Sequence, residues 1–217
     1  MIRRIKEPAN ALSHMIGAVL SVLGLILLVY RGATQGSTRH VVAFAIYGGS
    51  LILLYSASAI YHSLRVTGRW TRILRKIDHS MIYVLIAGSY TPLCLIALQG
   101  AWRWGLIAGI WGLTTLGIIL KVLWLDAPRW LSTLLYLIMG WLAVVALVPL
   151  ARSITWTGVI WLLVGGIFYT EGAVIYGTKW PKISSRVFGF HEIFHLFVLG
   201  GSVVHFWVMA RFVLPLA

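Results

Sequence analysis

The sequence has few charged residues and almost no cysteine. Charged residues make up 11% of its 217 residues, whereas a soluble domain carries about a quarter. A soluble globular domain is therefore not expected. Cys94 is the only cysteine, which excludes an intrachain disulfide.

Linkers, low-complexity segments and evident internal repeats are also missing from the sequence, as is a phosphate-binding motif. The connections between hydrophobic blocks are short, so no soluble domain is inserted between them. We therefore predict a single domain over residues 1–217. Three glycine pairs inside the blocks predict close helix contacts, at Gly48–Gly49, Gly165–Gly166 and Gly200–Gly201.

Long hydrophobic runs are the main feature that is present. Hydrophobic residues make up 60% of the chain, in blocks of roughly 20 residues, the length that crosses a hydrocarbon core of about 30 Å. Helices are expected because each span must satisfy its own backbone hydrogen bonds and β-barrel strands would alternate. We predict an all-α integral membrane protein with a bundle of seven transmembrane helices, near residues 11–30, 41–63, 78–98, 103–123, 131–150, 155–176 and 190–214.

The basic residues lie in the short loops between these blocks. The net charge is +13, but no continuous basic face forms, so nucleic acid is not a predicted partner. Of the 18 Lys and Arg residues, the side that includes the N-terminus carries Arg3, Arg4, Lys6, Arg65, Arg69, Arg72, Arg75, Lys76, Lys121, Arg129, Lys179, Lys182 and Arg186. This excess predicts a multi-pass protein of the cell inner membrane with a cytoplasmic N-terminus and an outside C-terminus.

Two histidines stand four residues apart at the start of the last hydrophobic block. In a helix, His191 and His195 lie on one face about one turn apart, so both imidazoles can bind one metal ion. Polar side chains are costly inside a membrane and usually have a function there. The pair is a candidate metal site, with packed helix histidines as the alternative.

Other polar residues fall in the same predicted layer. His62 ends the second block and Asp78 begins the third, both at the predicted cytoplasmic face. Three imidazoles with an open fourth position are typical of catalytic zinc. We therefore predict Zn²⁺ ligands at His62, His191 and His195. Asp78 is expected to orient or deprotonate a zinc-bound water, and Ser58, one turn before His62, to support the site by hydrogen bonding.

These residues resemble the motifs of a known family. The matching elements are Ser58-x-x-x-His62, Asp78, His191-x-x-x-His195, His205-Phe206 and the stretch from Glu7 to His14. The chain resembles a hemolysin III-type member of the progestin and adipoQ receptor family, which includes the adiponectin receptors. This resemblance implies a seven-helix fold and a zinc held by the three histidines, with Asp78 contacting the zinc-bound water. It also relates the chain to proposed membrane hydrolases such as alkaline ceramidases.

Two residues near the predicted ligands have alternative roles. Asp78 would also suit the N-terminal cap of the third helix. His79, its neighbour, points about 100° away around the helix, so only one of the two is expected to face the site. We choose Asp78, partly because of the family pattern.

The remaining polar residues are assigned less directly. His205 lies about 15 Å along the helix from His195, which favours an interhelical hydrogen bond over a fourth ligand. His14 and Glu171 either support the site or pack between helices. Glu7 and Asn10 are expected at the cytoplasmic entrance or in an N-terminal cap.

The sequence also matches the H-E-x-x-H signature of zinc metalloproteases. In that signature Glu192, between His191 and His195, would be the general base. Such enzymes usually take a third, acidic ligand from a later segment, and no Asp or Glu follows His195. An intramembrane metalloprotease therefore stays an alternative to the three-histidine site.

We predict a zinc-dependent hydrolase of amide or ester bonds in a lipid or lipid-like substrate. In this hypothesis zinc polarises the carbonyl and Asp78 assists proton transfer. The alternative from another class is a non-enzymatic receptor, a sensor or a cytolysis-associated, pore-related protein with structural zinc. The polar residues concentrate in one layer, which argues against a conducting pathway through both leaflets.

Overall fold

The computed structural model describes residues 5–183 and 188–216, and this part of the chain is helical without any strand. Three of the basic residues that predict the membrane orientation lie outside the described residues: Arg3, Arg4 and Arg186. The helices are α1 (Pro8–Gln35), α2 (Thr38–Ser63), α3 (Arg69–Pro92), α4 (Gly100–Leu123), α5 (Arg129–Trp141), α6 (Leu147–Thr178) and α7 (Phe190–Val208). Short π-helical turns extend α3 and α7, and a 3₁₀ segment joins α5 to α6.

Within the described residues, six helical segments are long and apolar enough to cross a membrane. The chain is therefore a multi-pass membrane protein, but the predicted count of seven spans is not confirmed. The predicted fifth and sixth spans both fall in the continuous segment Arg129–Thr178, which has 50 residues.

The Arg129–Thr178 segment reverses direction at Thr155. This residue has a left-handed φ of 64° inside α6. Trp141 precedes Thr155 and Thr170 follows it, and the Trp141 indole N–H donates to the Thr170 hydroxyl over 2.9 Å. Farther out, a Cβ at Gly177 would lie 3.3 Å from Thr133 Oγ1. Contacts between positions equally distant from Thr155 show that α5 packs antiparallel to the later part of α6.

The third helix begins earlier than the sequence predicts. Its first residue is Arg69 and its N-cap is Gly68, so Asp78 lies more than two turns inside the helix. The interpretation of Asp78 as a cap is wrong. Basic side chains of the extension contact the end of α4 and the residues after it: Arg72 and Arg75 bind Asp126, and Lys76 donates to the Val122 carbonyl.

Close helix packing involves four of the six glycines predicted for it. A Cβ at Gly48 would lie 2.6 Å from Leu25 Cδ1 of α1, and a Cβ at Gly165 would lie 2.1 Å from the His205 ring of α7. Gly200 and Gly201 meet aromatic rings of α6 at 2.8 and 2.9 Å. The prediction is wrong for Gly49 and Gly166, where a Cβ would meet no atom within 4 Å.

One end of the bundle collects the polar residues. The starts of α1, α3, α5 and α7 meet the ends of α2, α4 and α6 there, and we call it the N-terminal end. Contacts across this end join Glu7 with His62, Arg75 with Asp126, and Arg129 with Tyr176.

Candidate metal centre

The structure brings the three predicted histidines together. His62 stands in the last turn of α2, while His191 and His195 stand in the first two turns of α7. Their candidate ligand atoms all lie within 4.8 Å of one another. The His62 and His191 Nε2 atoms are 3.4 Å apart, close to the separation of about 3.3 Å that tetrahedral zinc with Zn–N bonds of about 2.05 Å requires. This donor set fits a metal ion.

A carboxylate fixes the orientation of His62. Glu7 Oε2 lies 2.5 Å from His62 Nδ1, which assigns the ring proton to Nδ1 and leaves the Nε2 lone pair directed at His191. The hydrogen bond from His62 lowers the pKa of Glu7 to about 2, against the opposing effect of burial. A carboxylate behind an imidazole is the usual support of a metal-binding histidine.

Asn10 connects Glu7 to the start of α7. Its side-chain amide donates to Glu7 Oε2 over 3.2 Å and to Glu192 Oε1 over 2.8 Å. The other Glu192 oxygen accepts the Gly189 backbone N–H over 2.7 Å and so caps α7. Both Glu192 oxygens therefore have structural partners, which argues against Glu192 as a general base.

His14 packs directly on a candidate ligand. Its ring is stacked on the His195 ring, with 3.6 Å between centroids and 9° between planes. Tyr55 closes another side of His14 edge-on, at 5.0 Å. His14 thus lies beside a candidate ligand and also packs between helices.

An elongated cavity of about 150 Å³ borders the histidine cluster. Asp78 and Ser58 both border it, together with His191 and His195. His79 also borders the cavity, so both neighbours reach this cavity, and the choice of Asp78 over His79 for the metal site stays a prediction. His79 does not belong to the three-histidine group in the described part of the chain.

The remaining polar residues lie away from the cluster. His205 borders the far part of the cavity and packs edge-on against Tyr169 of α6, with 5.2 Å between ring centroids. It is not one of the grouped histidines among residues 5–183 and 188–216. Glu171 is exposed on α6, so a supporting role at the site is not observed for it.

Sequence reasoning missed the role of Glu7 and Asn10. Glu7 occupies the cap position of α1 but its side chain makes no capping bond, because its carboxylate reaches His62 instead. A signal was present: the spacing of Glu7, Asn10 and His14 by three and four residues places them on one helix face.

The whole chain has matches among known proteins. A sequence model described as "Haemolysin-III related" matches residues 2–206. The chain belongs to the haemolysin-III-related family. Hemolysin-3 of Bacillus cereus is 44% identical over 212 residues, covering 98% of this chain and 94% of the relative. The Hemolysin-3 homolog of Bacillus subtilis (strain 168) is 42% identical over 203 residues, covering 93% of this chain and 92% of the relative.

A more distant relative comes from a plant. Heptahelical transmembrane protein 1 of Arabidopsis thaliana is 27% identical over 228 residues, covering 92% of this chain and 67% of the relative. The haemolysin-III-related match contains every residue of the candidate centre, from Glu7 to His195. The family resemblance noted from the sequence motifs is confirmed.

Proposed function

We propose that this haemolysin-III-related protein is a zinc-dependent membrane hydrolase that cleaves an amide or ester bond in a lipid-like substrate. The observation that supports the proposal most is the three-histidine group at the side of an elongated cavity that Asp78 also borders. Three protein ligands leave a coordination position for catalysis, whereas structural zinc sites are usually closed by four.

In this proposal His62, His191 and His195 hold the ion. Imidazole ligands suit several transition metals, and three of them with an open position favour zinc. When bound, zinc supplies Lewis acidity toward a carbonyl oxygen and lowers the pKa of water. Glu7 keeps the His62 lone pair directed at the centre.

Asp78 is the proposed general base and Ser58 its supporting residue. The Asp78 carboxylate accepts a proton from the attacking water and returns it to the leaving amine or alcohol. The Ser58 hydroxyl, which borders the same cavity from α2, has the proposed role of holding the carboxylate in position by a hydrogen bond. Both residues are buried, so few water molecules compete with the substrate.

We further propose seven membrane crossings. A straight helix of 50 residues would measure about 75 Å, more than twice a hydrocarbon core of about 30 Å. The reversal at Thr155 supports two crossings within Arg129–Thr178, and a relative bears the name heptahelical. With the excess of basic residues, this topology puts the N-terminal end and its metal centre at the cytoplasmic face.

A second candidate function comes from the names of the bacterial relatives. Hemolysin-3 denotes an association with cell lysis, which would suit a membrane-lytic or sensor protein with a structural metal. The metalloprotease alternative has less support, because Glu192 caps α7 and contacts Asn10.

Lipid cleavage by purified protein tests the proposal. Acyl amides and acyl esters are incubated with the wild type and with Asp78→Ala, and metal content is measured on the same samples. Cleavage that disappears in Asp78→Ala while the metal is retained supports the hydrolase. If wild-type protein with bound zinc cleaves none of these lipids and instead lyses vesicles, the second candidate replaces it.

A further inference from the structure

A buried lysine borders the same cavity. Lys121, two residues before the end of α4, is only 3% exposed and lines the cavity, as His79 does. Burying a cation is costly unless an anion pairs with it. The partner of Lys121 therefore decides what the cavity accommodates.

In the described part of the chain, no Asp or Glu side chain forms an ion pair with this lysine. The sequence has five Asp and Glu residues, all within the described part of the structure, and none lies within 4.0 Å of Lys121 Nζ. Two of them bind other groups, Glu7 at His62 and Glu192 at Gly189. Asp126 pairs with Arg72 and Arg75.

The last two carboxylates are also unsuitable. Asp78 borders the cavity together with Ser58 and is the general base of the proposed function. Glu171 is exposed on α6. No carboxylate of the five therefore forms an ion pair with Lys121, and an anion bound in the cavity would supply one.

Two further cations border the cavity at the N-terminal end. Arg75 stands on α3, one turn before Asp78, and Arg129 is the first residue of α5. The Arg129 guanidinium packs over the Tyr176 ring at 5.3 Å. An anion here would meet charge-assisted donors from three helices.

The rest of the cavity suits a hydrocarbon chain. It follows α3 from Arg75 to Tyr90, a distance of about 22 Å along a helix. Its wall beyond the polar end includes Ile82, Leu85 and Ile86. A small anion alone would leave this apolar length unfilled.

We propose that the substrate of the cavity is an anionic amphiphile, with a carboxylate or phosphate group bound by Lys121 and an acyl chain lying along α3. This inference rests on the proposed hydrolase function, because it names the class of lipid that this function acts on. Lys121 and Asp78 border one cavity near its polar end, so the anionic group lies close to the bond to be cleaved. An acyl amide of a small amino acid carries its anionic group next to the amide bond.

Binding of two matched lipids tests the proposal without requiring turnover. N-dodecanoylglycine and N-dodecanoylethanolamine share the chain and the amide, and only the first is anionic. Binding to the purified full chain in nanodiscs is expected to be at least about tenfold tighter for the glycine conjugate. Lys121→Gln should remove that preference, Lys121→Arg should keep it, and Lys76→Gln, a basic residue outside the cavity wall, should leave it unchanged.

The outcomes separate this inference from the hydrolase itself. Equal binding of both lipids by the wild type overturns the anion site, even if the neutral lipid is cleaved. An anion preference lost in Lys121→Gln upholds the site, even if neither lipid is cleaved. Acetate and inorganic phosphate are tested as competitors of the anionic lipid. If either anion displaces the lipid completely and binds as tightly as the lipid does, the proposed role of the acyl chain is overturned.

Discussion

The His14 imidazole of α1 lies parallel to the His195 imidazole of α7, with 3.6 Å between ring centroids. This stack joins the first and last helices of the chain at the candidate metal centre. His195 also contacts His62 and His191 edge-on or tilted, at 4.9 and 4.7 Å. His14 therefore limits the rotation of His195 by covering one face of its ring.

Removing the stacked ring should weaken metal binding. His14→Ala leaves His195 free to turn, and supporting contacts of this kind change metal affinity by about 10-fold or more. His14→Phe keeps a flat ring in the stack and should retain most of the affinity. Competition with a zinc chelator measures both variants, and wild-type affinity in His14→Ala would contradict the proposed role.

The carboxylate behind His62 should matter for affinity as well. Glu7→Gln removes the charge that holds the Nδ1 proton, so metal affinity should fall about 10- to 100-fold. Glu171→Gln is the matched control because that carboxylate is exposed on α6. Equal losses in the two variants would assign the effect to overall charge and not to the His62 contact.

The same variant has a predicted pH dependence. The pKa of Glu7 is lowered from 4.5 to about 2, so its stabilising contribution is complete above pH 4.5 and is lost as the pH falls through about 2. In metal-free protein, the difference in Tm between wild type and Glu7→Gln should therefore persist near neutral pH and shrink below about 4.5. If the Tm difference between the two proteins grows as the pH falls, the pKa of Glu7 is raised in the folded protein and not lowered.

Glu192 separates the hydrolase from the metalloprotease. Because its oxygens accept from Gly189 and Asn10, Glu192→Gln should keep metal and lipid cleavage and change stability by only about 1 kcal/mol. Loss of a general base would lower the rate by about 10²- to 10⁴-fold. A fall of that size with intact folding would restore the metalloprotease interpretation.

Two adjacent glycines test the packing of α1 on α2. A Cβ at Gly48 would lie 3.1 Å from the Leu25 backbone Cα, whereas one at Gly49 meets nothing within 4 Å. Gly48→Ala should lower the Tm, while Gly49→Ala should leave it unchanged or raise it, because alanine is favoured over glycine in helices by about 1 kcal/mol. Equal effects of the two substitutions would refute the close contact.

Much of the fold and of the site could be predicted from the sequence because its signals are local. Hydropathy gives the helices, and the spacing of His191 and His195 gives half of the metal centre. The start of α3 was missed because basic side chains extend a helix beyond its apolar part. Glu7 and Lys121 could not be assigned, since their surroundings come from distant elements that hydropathy does not bring together.

The metal content of the purified protein tests the central claim most directly. The account predicts about one zinc per chain, with large losses in His62→Ala, His191→Ala and His195→Ala. His40→Ala is the control, because His40 is a buried histidine at the opposite end of α2, bonded to Ser37. Zinc that is undiminished in the three ligand variants, or reduced equally in His40→Ala, would contradict the three-histidine centre.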